Sequence, residues 1–130
     1  MVPPTIVSQP RLDSGMMQEE IFGPILPVLS VPSDAAAVDF INSRARPLAL
    51  YVFSADESRA DAIVNGTNSG GACVNDVIRH MLNEVLPFGG CGESGCGSYH
   101  GEYGFRAFSH EKGVLVVGAE DRGGGFPRVM

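Results

Sequence analysis

The stretch that decides the fold is residues 48–53, which read Leu-Ala-Leu-Tyr-Val-Phe. Its side chains are aliphatic or aromatic, and a short run of this kind is typical of a largely buried strand. Segments with the spacing of amphipathic helices lie on both sides of it, and another short apolar run lies beyond each of those segments. The chain around residues 48–53 therefore alternates between strand and helix.

The helix before this strand is predicted at residues 34–43. Ser33 is a suitable N-cap because its hydroxyl can accept a backbone N–H, and Asp34 places a negative charge at the positive end of the helix dipole. Pro47 prevents the helix from continuing. The apolar stripe repeats at helical spacing and comprises Ala37, Val38, Phe40 and Ile41.

The helix after the strand begins at Ser54 or Asp56, since either side chain can cap it, and it buries Ala60, Ile63 and Val64. It ends at residues 65–66, Asn-Gly, because both residues tolerate the left-handed conformation. Further strands are predicted at residues 25–31 and 70–74. Alternating strands and helices with short connections predict an α/β fold, a parallel sheet with a βαβαβ core and right-handed crossovers.

The remaining segments are shorter or less regular. An edge strand is predicted at residues 5–7, between prolines. The C-terminal half should contain a loop with about one helical turn at 77–86, a glycine-dense loop at 87–97, a short helix at 102–108, a last strand at 113–117 and a flexible tail at 119–130.

The composition excludes several classes of function. The 130 residues include 9 Lys and Arg against 15 Asp and Glu, which gives a net charge of −6, and no basic run is present. Binding to nucleic acid or to anionic membranes is therefore not expected. The three cysteines are an odd number, and neither a secretory signal nor an apolar run of membrane-spanning length is seen. These features predict free thiols in a reducing compartment, and a cytoplasmic protein without a membrane anchor.

Residues 17–24, Met-Gln-Glu-Glu-Ile-Phe-Gly-Pro, contain a candidate binding site. Gly23 and Pro24 oppose a helix here, and in an extended segment Glu20 and Phe22 would project from one face. A carboxylate can accept two hydrogen bonds from a ribose cis-diol, and an aromatic ring beside it can pack on a flat ring such as nicotinamide. The alternative is a solvated acidic turn that leads into a strand.

The glycines of the loop at 87–97 do not form a dinucleotide fingerprint. Gly90, Gly92 and Gly95 have the spacing G-x-G-x-x-G, but no complete strand–helix–strand unit surrounds them. A tight loop that lets backbone segments approach closely is the better interpretation.

The cysteines and histidines give no convincing catalytic or metal site. Cys91, Cys96 and His100 have the spacing C-x4-C-x3-H, but structural zinc normally takes four ligands, and no fourth presents itself. Cys91 or Cys96 would need a base to act as a nucleophile, and nothing in the spacing pairs either with His80, His100 or His110. Cys73 lies in a predicted strand and should be a small buried residue. No catalytic residue and no metal ligand are therefore assigned.

Taken together, several motifs resemble the C-terminal part of the aldehyde dehydrogenases. The resemblance extends over about residues 3–117 and rests on Gln-Glu-Glu-Ile-Phe-Gly-Pro at 18–24, Pro-Leu-Ala-Leu-Tyr at 47–51, Asn-Asp at 75–76, Leu-Pro-Phe-Gly-Gly at 86–90 and Ser-Gly-Cys-Gly-Ser-Tyr-His-Gly at 94–101. Residues 97–101, with Phe-Ser-His at 108–110, resemble the class 3, fatty-aldehyde branch. Residues 102–104 are more similar to other branches.

The resemblance implies a reaction and places residues in it. In the family, a cysteine thiolate attacks the aldehyde, hydride passes to NAD(P)+, and a glutamate-activated water releases the carboxylic acid. The residue that matches Glu20 binds the nicotinamide ribose, and the one that matches Phe22 packs near the nicotinamide. Phe88 is expected to line the substrate pocket, and His80 is a candidate near it.

The resemblance also implies what the chain contains and what it needs. Residues 1–110 would be the C-terminal half of the catalytic domain, 111–118 an oligomerisation strand and 119–130 a flexible tail. The nucleophilic cysteine, the general-base glutamate and the nucleotide-binding domain would lie on polypeptide that precedes these residues in the family. We therefore expect a partner, either the missing N-terminal portion or a second subunit, and marginal stability without one.

Overall fold

The computed structural model describes residues 1–118, and these form alternating short strands and helices. The elements are β1 (Thr5–Ser8), α1 (Gly15–Gln18), β2 (Ile25–Val28), α2 (Asp34–Asn42), β3 (Ala49–Val52), α3 (Glu57–Gly66), β4 (Gly71–Val74), α4 (Arg79–Leu82), a 3-10 turn (Gly92–Ser94) and α5 (Gly101–Ala107). The predicted α/β class is confirmed.

The strands form two parallel pairs. β1 lies beside β2, with Thr5 opposite Ile25, and β3 lies beside β4, with Ala49 opposite Gly71. Within residues 1–118, β2 does not pair with β3, so the βαβαβ segment does not make one continuous three-stranded sheet. The helical connection predicts parallel direction, but it does not fix which strands are neighbours, since consecutive strands are adjacent in only about two-thirds of cases.

The helices begin where the sequence places their caps. Ala36 N donates to the Ser33 hydroxyl at 3.2 Å at the start of α2. At α3 the cap is Asp56, which accepts from Arg59 N at 3.2 Å, while the hydroxyl of Ser54 accepts from Asp56 N at 3.1 Å. Both candidates for that cap therefore contribute: Asp56 caps the helix directly, and Ser54 holds the backbone of Asp56.

An asparagine joins the carboxyl ends of β3 and β4. Asn75 has a φ of +58°, and its side chain makes hydrogen bonds of 2.8 Å with both the N–H and the carbonyl of Ser54. These two hydrogen bonds link the segments that follow β3 and β4, before the chain reaches α4.

Three further segments differ in part from the predictions. α1 is a helical turn that the sequence did not indicate. By contrast, α4 agrees with the single turn expected within residues 77–86. α5 lies one residue earlier than predicted. Residues 113–117 form no strand among the described residues, because no neighbouring backbone is available to pair with them. The predicted oligomerisation strand at 111–118 stays a prediction, and the predicted tail at 119–130 lies outside the described residues.

The core of the described part is thin. Its buried apolar side chains are Val52, at 6% exposure, and Ala60, at 1%. The accessible surface is 10480 Å², whereas a compact monomer of 13.7 kDa would expose about 6600 Å². Within residues 1–118, no helix is both long enough and apolar enough to cross a membrane. With so few side chains buried, large apolar residues of the described part lie in water, among them Phe22, Phe105 and Phe108, which are 91, 74 and 97% exposed.

Backbone contact fastens the glycine-dense loop to the β3–β4 sheet. Phe88 and Tyr99 form an antiparallel bridge, with N–H···O distances of 3.0 and 2.9 Å. A Cβ placed on Gly70 would lie 2.2 Å from the carbonyl oxygen of Gly89 and 2.7 Å from that of Leu48. Only glycine at position 70 allows the loop and the sheet to approach this closely. Of the loop glycines for which close backbone approach was predicted, Gly90 fits that reason, since a Cβ there would lie 2.1 Å from the carbonyl oxygen of Ser94.

We expect Gly70→Ala to destabilise the chain by about 2 kcal/mol or more, because both clashes are with backbone atoms that cannot turn away. The matched control is Gly15→Ala, where a Cβ would meet nothing within 4 Å, and it should change stability by less than about 1 kcal/mol. Urea unfolding followed by circular dichroism measures both. Equal effects of the two substitutions would contradict the close approach at Gly70.

An exposed ion pair links α2 to α3 and should make stability depend on pH. Arg59 Nη2 donates to Asp34 Oδ1 at 2.6 Å, and this hydrogen bonding holds the pKa of Asp34 below its ordinary value of 3.8. An unfolded chain loses that partner, so its carboxyl titrates at the ordinary value. The stabilisation is therefore fully present above that value and is lost as the pH falls through the lower folded pKa.

We expect the unfolding temperature of the unsubstituted chain to fall more steeply than that of Asp34→Asn as the pH is lowered from about 4, the ordinary pKa of the carboxyl. Asp13 and Asp56 also have lowered pKa values, because of Arg11 and Ser58 respectively, but they titrate in both chains. Asp39→Asn, on the same helix, is the control and should follow the unsubstituted chain. The unfolding temperature is measured by thermal melting at a series of pH values. If it falls equally steeply with pH in Asp34→Asn and in the unsubstituted chain, the ion pair has no such role.

Candidate functional site

The segment between α1 and β2 carries the predicted cofactor residues. The helix ends at Gln18, and Glu19 is already extended. Glu20 and Phe22 are exposed, the latter at 91%, while Ile21 between them is half-buried. Both predicted side chains are therefore available to a ligand, and the absence of helix that Gly23 and Pro24 predict for this segment is confirmed.

Phe22 has an unusual backbone. Its φ is +43°, in the left-handed region that bulky residues rarely adopt. Such outliers cost about 1–3 kcal/mol and concentrate at functional sites. Because residue 22 is not extended, the alternation of a regular strand does not apply to it. The shared face of Glu20 and Phe22 stays a prediction.

An arginine anchors this segment to α2. Arg44 Nη1 donates to the carbonyl of Met17 at 2.6 Å, and its guanidinium lies 4.6 Å from the centre of the Phe40 ring. A cleft of about 670 Å³ lies beside this contact, and Arg44, Glu19 and Glu93 are among its lining residues. Glu20 and Phe22 do not line it, so this cleft is not the predicted cofactor site. Arg44 instead fixes the chain that leads to them.

The second candidate region is a group of rings, the aromatic cluster, formed by Tyr51, His80, Phe88, Tyr99 and His100. His80 lies 5.7 Å from Tyr51 and 6.0 Å from Phe88 between ring centres. Phe88 lies 5.9 Å from Tyr99, edge to face, and 5.9 Å from His100, nearly parallel. The structure thus brings together His80 and Phe88, the two residues predicted for the substrate pocket.

Those two residues border different clefts. His80 lines one of about 560 Å³, together with Cys73 and Leu82. Phe88 lines another of about 530 Å³, which also contains Cys96 and Phe108. None of the ring contacts of the aromatic cluster involves Phe22 among residues 1–118. No ring contact among these residues therefore joins the predicted cofactor residue Phe22 to the predicted substrate residues.

The histidines of the aromatic cluster are short of hydrogen-bond partners. Both ring nitrogens of His80 and Nδ1 of His100 are buried and have no partner among the described residues. His100, considered above as a ligand or base, has a φ of +90°, and the centre of its ring lies 4.4 Å from the centre of the Tyr99 ring. Sequence reasoning did not identify Tyr51, Tyr99 and His100 as members of the aromatic cluster. The one available signal was that Phe88 and Tyr99 flank the same glycine-dense loop.

The thiols are free and differ in exposure. Cys73 and Cys91 are half-buried and Cys96 is exposed. The backbone N–H of Cys91 donates to the Ser94 hydroxyl at 3.0 Å, which shapes the 3-10 turn. Within residues 1–118, no group of three or more His, Cys, Asp or Glu side chains is placed to hold a metal ion.

Comparison with known proteins gives a consistent family. The model of the aldehyde dehydrogenase family matches residues 1–114. A probable coniferyl aldehyde dehydrogenase of Caulobacter vibrioides is 53% identical over 114 residues, which are 88% of this chain and 24% of that protein. Aldehyde dehydrogenase family 3 member A2 of Rattus norvegicus is 49% identical over 117 residues, 90% of this chain and 24% of that protein. The predicted resemblance to class 3 is confirmed.

Solved structures agree. A substrate-bound Staphylococcus aureus AldH superposes with a TM-score of 0.79 at 44% identity, covering 91% of this chain and 27% of that one. A Mycobacterium tuberculosis aldehyde dehydrogenase complexed with NAD+ gives 0.76 at 28% identity, covering 84% and 22%. The chain spans about a quarter of the length of these proteins, and it belongs to the aldehyde dehydrogenase family.

Proposed function

We propose that the chain acts as a segment of an NAD(P)-dependent aldehyde dehydrogenase that oxidises aldehydes to carboxylic acids. The observation that carries this proposal is the family match, which takes in almost the whole described chain but only about a quarter of each relative. The chain would contribute binding surfaces to the enzyme, while other polypeptide supplies the rest of the catalytic apparatus.

Glu20 and Phe22 are the residues proposed to hold the cofactor. An exposed carboxylate outside any helix can accept hydrogen bonds from the two hydroxyls of the nicotinamide ribose. The ring of Phe22, 91% exposed, offers a free apolar face for the nicotinamide. When bound, NAD(P)+ would supply the hydride acceptor. Arg44 would support both residues by fixing the backbone at Met17.

Phe88 and His80 are the residues proposed for the aldehyde side. Phe88 faces a cleft whose lining includes Tyr99 and Phe108, and this largely apolar surface suits the hydrocarbon part of an aldehyde. His80 supports Phe88 from the sheet side of the aromatic cluster.

No residue of this chain is proposed as the nucleophile. Cys73 lies within β4, and Cys91 and Cys96 lie in the glycine-dense loop, where neither is paired with a histidine by hydrogen bonding among the described residues. The thin core supports the further proposal that the missing portion of the fold, or a second subunit, covers the exposed apolar surface. Free thiols favour a reducing compartment, and we place the chain in the cytoplasm.

We expect the purified chain to produce no NADH from NAD+ and a long-chain aldehyde, because none of its cysteines is proposed as the nucleophile. NADH accumulation above a no-protein blank would overturn the proposal.

A chimera tests the contribution of Glu20 directly. Residues 1–114 would replace the matching quarter of the Caulobacter vibrioides relative, and steady-state kinetics would be measured with NAD+. Glu20→Gln should raise the KM for NAD+ about tenfold or more, because it weakens charge-assisted hydrogen bonds to the ribose. Glu19→Gln, one residue earlier, should leave that KM unchanged. Equal effects of the two substitutions would contradict the assigned role.

A second function has one observation in its favour. Residues 114–117 are a run of Val, Leu, Val and Val, and their side chains are exposed at 71, 65, 62 and 53%. A run of this kind can add as a strand to the sheet of another family subunit and form a non-enzymatic assembly.

We expect an affinity-tagged full-length family relative to retain the chain at micromolar concentration. Leu115→Lys should abolish retention by placing a charge in the added strand, whereas Lys112→Ala should not. Failure of the unsubstituted chain to bind would remove this alternative.

A further inference from the structure

His80 is out of character with its surroundings. It is 7% exposed, and among residues 1–118 it is the one polar side chain classed as buried. Its helix α4 has one turn, and the neighbouring residues Arg79, Met81 and Leu82 are all exposed. A single imidazole therefore inserts from a surface turn into the body of the protein.

The turn that precedes it is strained. Ile78 has a φ of +66° and a ψ of −32°, and Arg79 N donates to the carbonyl of Val77 at 2.6 Å. This is the hydrogen bond of a γ-turn with positive φ, which is rare, and a β-branched residue is especially unsuited to it. Strain of this kind persists only where surrounding contacts fix the chain. The burial of His80, two residues later, is the contact at hand.

The ring of His80 fits a space made by a missing side chain. A Cβ on Gly71, the first residue of β4, would lie 2.8 Å from Cδ2 and 3.2 Å from Nε2 of His80. On its other sides the ring meets Tyr51 of β3, edge to face, and Phe88. The imidazole thus fills the space between the start of the β3–β4 sheet and the Phe88 ring.

Hydrogen bonding does not account for this placement. Neither Nδ1 nor Nε2 of His80 has a partner among the described residues, and both atoms are buried. The ring is therefore held by packing against Gly71, Tyr51 and Phe88.

We propose that His80 is a positioning residue, a wedge seated on Gly71 that holds Phe88 and its bridge to Tyr99 against the β3–β4 sheet. Its effect on an aldehyde would pass through Phe88, and that part rests on the proposed function. The wedge itself is independent of any substrate, so it can be tested without one.

Amide hydrogen exchange of the full chain, resolved by NMR, provides the test. The readout is the pair of amides in the bridge, Phe88 and Tyr99. The internal reference is the amide of Gln9, which donates to Val28 at 2.8 Å in the other sheet. His80→Asn keeps a polar nitrogen without the ring and should lower protection of the bridge amides about tenfold or more. His80→Phe keeps a ring without nitrogens and should keep protection within about threefold.

The Gly71 side of the contact gives a second pair of variants. Gly71→Ala should displace the ring and lower protection as His80→Asn does. In a double variant, Gly71→Ala with His80→Ala should lower protection of the bridge amides no further than His80→Ala alone, because the space for the new Cβ is then vacant. The proposal is overturned if His80→Phe and His80→Asn reverse their order, if the two sites act additively, or if the bridge amides of the unsubstituted chain are unprotected. A loss at Gln9 equal to that at the bridge would also overturn it.

Discussion

The approach of two backbones at Gly70 and Gly89 is the constraint on which the rest of the C-terminal half depends. With no side chain at position 70, the glycine-dense loop lies directly on the start of the β3–β4 sheet. That contact places Phe88 opposite His80 and lets Tyr99 return to close the bridge. Further along the loop, the 3-10 turn shaped by the hydrogen bond between Cys91 and Ser94 carries Glu93, which borders the cleft beside Arg44. The close approach of the two backbones thereby positions the rings of the aromatic cluster.

The thin core gives the family match its physical meaning. In α/β proteins each parallel sheet is normally covered on both faces. Here α3 packs on β3, α4 packs on β4, and α2 packs on α3 rather than on a strand. Among residues 1–118, the buried apolar side chains are Val52 and Ala60. The open faces of a chain that spans a quarter of its relatives' length agree with the proposal that other polypeptide of the fold covers them.

Local features of the fold were predictable, while features that join distant segments were only partly so. The caps at Ser33 and Asp56 follow from side chains next to the N–H groups they bind, and both were found. Strand neighbours depend on the whole sheet, and the pairing of β1 with β2 gave no local signal. At the site, the Leu-Pro-Phe-Gly-Gly motif indicated Phe88 and the family resemblance suggested His80 as a candidate, but Tyr51 and His100 joined them only through the tertiary fold. The left-handed Phe22 was not predictable, because its residue type opposes that conformation.

The open apolar faces have a consequence for the colloidal behaviour of the chain. At neutral pH, repulsion between molecules that each carry a charge of −6 opposes their association. That repulsion vanishes near the isoelectric point of 4.9, while the exposed side chains of residues 114–117 and the free strand edges remain. Precipitation in mildly acidic buffer would then be a property of the open surface rather than of unfolding. Preparations of this chain are best kept well above that pH and at low ionic strength, where charge separates the molecules.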